Sequence, residues 1–484
     1  MRVLLLGCWL FAIQAYGLEL LDDEHLSLEH GQSLFNANYQ TLAQPAAAGG
    51  GALDFFRMGL DVELSVNTNI RSAKLGCDGV NGAGCDIDLD YLALSGNPSS
   101  TQCASSERPD CNAMITRPFF EFAIKNPTSL ASREVAGVRF SAEGIKGLLT
   151  LGLESLATPS GINKFSGYMK VQSDSSGKLK GYVNTQAGVL NAGTYPISGQ
   201  LTALGLGGLA KVDFKTTAGS LNIPAMNNIY FDVPALTVNG QRQTTVSLNP
   251  LISLPEIMLG FTPTDNKCGV FATSPCPNYS TNPMGTYPVN GIYDSTYNEV
   301  RTQGGKVTAL VTKCYFIACL VAGAGSQFTN VHLYGQITGL KANVTLNENL
   351  GFIHKLLVDS SFYLSLQKQN IRWPDTATDD VAQKGWWLSF KDPVLLGNVN
   401  PQDPVNLCPS VGNCVFPQIS SQASAYLAAN PPNTNDLGGL LTNGVLGIVA
   451  GVVPVPTPLS LTLGNIVLTG QAIVSNCYGT LKFC

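Results

Sequence analysis

The residues best suited to chemistry lie at 76–96, GCDGVNGAGCDIDLDYLALSG. Cys77 and Cys85 bracket a glycine-rich loop, and Asp86, Asp88 and Asp90 follow at every second position. In an extended strand alternate residues share a face, about 6.5 Å apart. Three adjacent carboxylates repel one another, and a hard cation relieves that repulsion, so one reading is a calcium site built from Asp86, Asp88 and Asp90 with Asp78 and loop carbonyls. It is not an EF-hand, because Tyr91 stands where the glycine belongs and Asn97 where the closing glutamate belongs. The competing reading is a strand with Ile87, Leu89 and Tyr91 on one face and the three aspartates in water. Calcium is the only cofactor the sequence suggests.

Other constellations are sparse. The four histidines are His25, His30, His332 and His354. His25-Leu-Ser-Leu-Glu-His30 has one residue too many for the inverted zinc-protease pattern, and His332 and His354 sit in strand-like runs as structural side chains. The chain has no nucleophile elbow, phosphate loop or dinucleotide fingerprint. The expectation is a protein that is not an enzyme. Trp373, Trp386 and Trp387 fall within fifteen residues of one another. They form either a patch for a sugar, apolar ligand or protein partner, or a set of core and edge packing residues.

The elements that must hold these residues are exported and cross-linked. Met1-Arg2, the apolar run Val3–Ile13 and the small residues near Gly17 read as a secretory signal peptide over 1–17. Its removal takes Cys8 away. The other twelve cysteines fall in close pairs: Cys77 with Cys85, Cys103 with Cys111, Cys268 with Cys276, Cys314 with Cys319, Cys408 with Cys414, and Cys477 with Cys484. That pairing predicts six local disulfides and an oxidising compartment. Zinc is the rival only at Cys314 and Cys319, where no histidine cluster accompanies the spacing. Charged residues are 13% of the chain and the formal net charge is −5. A sparse, slightly acidic surface without a basic block argues against nucleic acid or anionic lipid as partner.

Along the chain the pattern is mainly β. DFFRMGLDVELSVNTNI alternates at Leu60, Val62, Leu64 and Val66, and similar runs recur between Gly, Pro and Asn punctuation. This rhythm predicts an elongated multi-sheet sandwich or solenoid-like body with disulfide-tied loops. Residues 18–52 read as an acidic segment followed by a flexible Ala/Gly linker, AQPAAAGGGA. Residues 53–262 and 263–484 read as two β-rich regions. Helix candidates are Asp22–His30, Ser420–Ala429 and Leu437–Val453. The last is uncharged, and its glycines and following prolines make it a buried or interface segment rather than a membrane span. An outer-membrane β-barrel is a rival for the whole chain, against which stand the Pro-rich stretches at 393–417 and 430–433.

Three blocks together, LELLDDEHLSLEHGQSLF, CDGVNGAGCDIDLDYLALSG with RPFFEFAIKNP and REVAGVRFSAEGIKGLL, and WWLSFKDPVLLGNV, resemble an uncharacterised group of secreted proteobacterial proteins. Some members of that group carry a pilus-assembly label. The resemblance implies a surface or filament role, with other surface or filament proteins, or further copies of the chain, as partners. It brings no catalytic or binding residues. The expected function is therefore a non-enzymatic structural or adhesive protein of the periplasm, outer membrane or cell surface. The alternative is a binding protein for an apolar or carbohydrate ligand.

Overall fold

The computed structural model describes residues 34–97, 112–154, 158–203, 210–249, 251–260, 292–295, 298–303, 306–315, 319, 323–409, 414–434, 447–462 and 466–474. The chain is mainly β, 58% strand and 7% helix, as the alternating pattern predicts. Its described strands form sheets of 13, 10, 4, 2 and 2 strands.

Nine strands make the path of the largest sheet: β1 (Phe35–Ala43), β2 (Ala52–Leu60), β3 (Thr68–Leu75), β4 (Ile87–Ser95), β5 (Ala113–Lys125), β6 (Glu134–Thr150), β7 (Ile162–Gln172), β8 (Phe362–Gln367) and β9 (Gly385–Phe390). Their spatial order is β1-β2-β5-β6-β8-β9-β7-β4-β3. The path also closes on itself. β6 is 17 residues long; its first half pairs with β8, and Leu148–Thr150 pair with β4. Strands β6, β8, β9, β7 and β4 thus ring a core containing Ile87, Leu89, Leu149, Phe165 and Met169. Strands β1, β2 and β5 continue beyond the ring as an open flap.

A second sheet of ten strands joins Ala210–Ile223 to Lys306–Tyr315 and the latter to Gln327–Thr338. Helix α1 (Val415–Ala429), which contains the expected Ser420–Ala429 segment, buries Val415, Phe416, Ile419, Ala423 and Leu427. These recur at helical spacing and form one stripe.

Three expectations are corrected. The division at residue 262 does not follow the sheets. Residues 362–367 and 385–390 complete the sheet begun at residue 35, and 210–223 pairs across to 306–315. Such long-range pairing leaves no local trace in sequence. Residues 43–52 are not a linker but the turn of the β1–β2 hairpin. Gln44 N–H donates to Gly51 O at 2.8 Å, and Gly49, Gly50 and Gly51 all take positive φ, which only glycine adopts freely. Finally, Gly447–Pro454, which overlaps the end of the Leu437–Val453 helix candidate, is a strand running parallel to Gln327–Thr338. Its β-branched Ile448, Val449, Val452 and Val453 favour the pleat over the helix. Residues 435–446, the Asp22–His30 candidate and the 1–17 segment lie outside the described residues.

Candidate functional site

The Cys77–Cys85 disulfide forms as expected, and so do Cys314–Cys319 and Cys408–Cys414. The bond between Cys314 and Cys319 overturns zinc there. The other three expected bridges, of Cys103 with Cys111, of Cys268 with Cys276 and of Cys477 with Cys484, lie outside the described residues. Three of the six expected disulfides are therefore found, and all three are local.

A cation does sit at the mouth of the first loop, and it is the chain's own. Arg242 Nη1 donates to Ala83 O at 2.7 Å, and Nη2 donates to Gly82 O at 3.1 Å and Gly84 O at 3.0 Å. Its Nε donates to Asp86 Oδ1 at 3.0 Å. Asp86 is 1% exposed and also accepts from Asn81 Nδ2 at 3.0 Å and from the Trp386 amide at 3.1 Å. Gly82 and Gly84 take positive φ, which turns their carbonyls into the cup. A Cβ on Gly76 would lie 2.4 Å from Asp86 Oδ2, so the approach of the carboxylate needs glycine.

Asp88 and Asp90 share Asn163, whose Nδ2 donates to Asp88 Oδ1 at 3.4 Å. Asp88 pairs with Lys74 at 3.6 Å, and Asn163 Nδ2 donates to Asp90 at 2.7 Å. Asp78 accepts from the Gly84 amide within the loop. Among the described residues no group of three or more His, Cys, Asp and Glu is placed to hold a metal ion. His354 is 1% exposed. The neutral ring protonated at Nδ1 satisfies its surroundings, donating to Leu151 O at 2.6 Å and accepting from the Val474 amide at 2.9 Å. Burial pulls its pKa below the ordinary 6.5. His332 lies in the strand Gln327–Thr338; His25 and His30 fall outside the described residues.

The tryptophans divide by face. Trp387 and Trp373 are 0% and 1% exposed and form a small core with Phe55, Tyr168, Tyr363 and Ile371, so neither presents a ring to a ligand at the surface. Trp386, next along β9, points the other way and packs half-buried against the ring's core. The small core is capped by the segment 368–384, which is tied to the β1–β2 turn. Gln44 accepts from the Arg372 amide at 2.8 Å, and Asn370 Nδ2 donates to Ala47 O at 3.0 Å.

Polar groups that sequence reading missed are enclosed there. Glu121, fully buried on β5, is bridged by Arg57 at 3.1 Å and by Arg139, which also donates to Pro374 O at 2.8 Å. Burial pulls the Arg139 guanidinium below its usual range, and Glu121 opposes that shift. Asp380 receives three donors: Tyr363 Oη at 2.9 Å, Trp387 Nε1 at 3.2 Å and Ser389 Oγ at 2.6 Å. Burial nonetheless raises its pKa. The one sequence signal was a lone Glu121 between aromatic neighbours in RPFFEFAIK.

The opposite face of the flap is apolar and open. Register places Tyr39 beside Phe56, Met58 beside Phe120, Phe120 beside Phe140, and Val138 beside Leu366. Tyr39, Phe56, Met58, Phe120, Phe140 and Leu366 are between 38% and 60% exposed. Phe120 and Phe140 meet edge to face at 4.7 Å. The same side of the sheet that lines the ring's core thus continues uncovered onto the flap.

Strand β1 ends this sheet, paired with β2 alone among the described strands. Leu34 O and Gln44 N bond toward β2. By alternation Ala37, Tyr39 and Thr41 direct their backbone groups outward, where the Tyr39 amide donates to Asn38 Oδ1 at 2.7 Å. The strand FNANYQTLA carries no charge, proline or bulge, the usual protections of an edge.

Comparison with protein-family models finds no match, and none is found among curated proteins or among solved structures. The described residues define a mainly β, disulfide-tied protein. No described helix is long and apolar enough to cross a membrane.

Proposed function

We propose that this is an exported, non-enzymatic structural or adhesive protein of the bacterial surface, a pilus- or filament-associated component that assembles with further copies of itself. The observation that carries this reading is the uncharged β1 edge, paired on one side only among the described strands, beside an exposed aromatic sheet face. Soluble monomers rarely leave a contiguous apolar patch or a long uncharged edge in water. The partner that fits both at once is a second β1. Antiparallel pairing of β1 with its copy is two-fold symmetric. It would continue the sheet and join the two faces containing Tyr39, Phe56 and Phe120 into one. The disulfides Cys77–Cys85, Cys314–Cys319 and Cys408–Cys414 support an oxidising compartment.

Ala37→Pro tests it, because the ring removes an outward N–H and leaves the β1–β2 ladder intact. Wild-type protein at about 100 µM is expected to sediment as a dimer or larger species, a concentration that populates even weak complexes. The variant should sediment as a monomer of unchanged circular dichroism. Fractionation and electron microscopy of the producing cell should place the wild type at the surface. A wild-type monomer at that concentration, found free in the periplasm and never on the surface or in fibres, would defeat the reading.

A further inference from the structure

Beside the buried Glu121–Arg139 pair, on the side of the sheet away from the apolar face, lies a cavity of about 360 Å³ open to solvent. Its acidic lining is already engaged. Glu143 pairs with Arg117 at 3.1 Å, Asp375 with Arg57 at 2.9 Å, and Asp380 holds its three donors. Of its cationic lining, Arg57 and Arg139 are engaged by Glu121 and Asp375, and the two lysines are not. Lys170 and Lys391 both face the cavity with no carboxylate partner among the described residues, and Lys170 stands only over the Tyr168 ring, at 6.0 Å. Arg139, 4% exposed, also lines the cavity, and its Nε has no hydrogen-bond partner. Among the described residues, Lys170 and Lys391 are thus the charges of the lining without an opposite charge. The remaining walls include Phe119, over whose ring Arg57 stands at 4.1 Å, and Tyr168 and Phe390, with serines between them.

We propose that this cavity binds an acidic monosaccharide, a hydroxylated ring carrying one carboxylate. The carboxylate answers Lys170 and Lys391, the sugar hydroxyls answer Ser361 and the accepting lone pairs of Ser141, and the apolar ring face lies against the aromatic wall. A cavity of this size suits a single sugar ring. A neutral sugar leaves both lysines uncompensated, and a bare inorganic anion leaves the aromatic wall unused. The proposal is independent of self-assembly, since the apolar face lies on the opposite side of the sheet.

The test is titration of the whole protein with galacturonate, glucose, acetate and sulfate, followed by calorimetry or saturation-transfer NMR up to about 10 mM, the weak end of specific affinity. Saturable binding of galacturonate is expected, with glucose, acetate and sulfate much weaker. Lys170→Gln and Lys391→Gln should each weaken galacturonate about tenfold, the loss of one charge-assisted contact. Both lysines are at least partly solvent-exposed, so the variants should keep the wild-type melting temperature. Absence of galacturonate binding, equal binding of glucose or sulfate, or unchanged affinity in the double variant would overturn the assignment.

Discussion

Replacing Arg242 by Met removes the guanidinium from the Cys77–Cys85 loop while keeping most of the side chain's apolar stem. Four donor contacts disappear, three to loop carbonyls and one to Asp86. The carbonyls of Gly82, Ala83 and Gly84 sit on exposed or half-exposed residues, and water replaces their lost donors at little cost. Asp86 is different, because at 1% exposure its charge keeps only the neutral Asn81 and Trp386 donors. Breaking a buried pair from one side costs about 3–5 kcal/mol, and the 21% exposure of the Arg242 side chain favours the lower end. For a chain of this length unfolding entropy is about 1 kcal/mol per kelvin, so a loss of about 3 kcal/mol lowers the melting temperature by about 3 °C. Arg242→Lys should recover only part of the loss, since an ammonium cannot reach three carbonyls and a carboxylate together. The double variant with Asp86→Asn should lose less than the sum of the singles. Urea denaturation followed by tryptophan fluorescence reads this locally, because the Trp386 amide is bonded to Asp86. Wild-type melting curves in calcium and in chelator should coincide. A loss below about 1 kcal/mol, or restoration of Arg242→Met by calcium, would show that the guanidinium is not the cation this loop was built around.

Three other perturbations have definite expectations. Cys77→Ser with Cys85→Ser should cost about 2–3 kcal/mol by urea denaturation. The penalty of Arg242→Met should shrink in that background, because the freed loop no longer presents its carbonyls together. Glu121→Gln should cost about 3–5 kcal/mol, read by the same denaturation, since it strands the nearly fully buried Arg139 without a carboxylate. For His354 the folded pKa lies below the unfolded 6.5, so the unfolded chain takes up its proton first as pH falls. Stability should therefore be independent of this residue above 6.5 and decline below it, and His354→Gln should flatten that slope in melting curves measured across the acid range.

The fold class was legible because strands announce themselves locally. Alternation at Leu60, Val62, Leu64 and Val66 and the recurring turn residues need no distant partner to be read. The close cysteine pairs Cys77–Cys85, Cys314–Cys319 and Cys408–Cys414 were legible for the same reason, since so short a loop brings its own ends together. The Ala/Gly stretch at 43–52 misled because flexibility and tight reversal demand the same glycines. Only the partner strand distinguishes them. The Gly447–Pro454 strand misled because a continuous apolar run has no period to separate a buried strand from a helix.

The sequence by itself determined a mainly β protein with local cross-links and few charges. These are properties of composition and short-range spacing, which the chain carries wherever it folds. It also singled out Asp86, with Asp88 and Asp90, as a candidate calcium ligand. Tertiary structure alone brought the guanidinium of Arg242 to Asp86. Arg242 lies 156 residues away, and only the pairing of its strand Leu236–Gln243 with β7 delivers it to the loop. The same holds for Glu121, whose partners come from β2 and β6, and for Tyr39, Phe56, Phe120 and Phe140, which become one surface only when four strands align in register. A charge's partner and an exposed face are properties of which strands lie side by side. That choice is made by long-range contacts whose loop-closure cost and packing gain no short window of sequence contains.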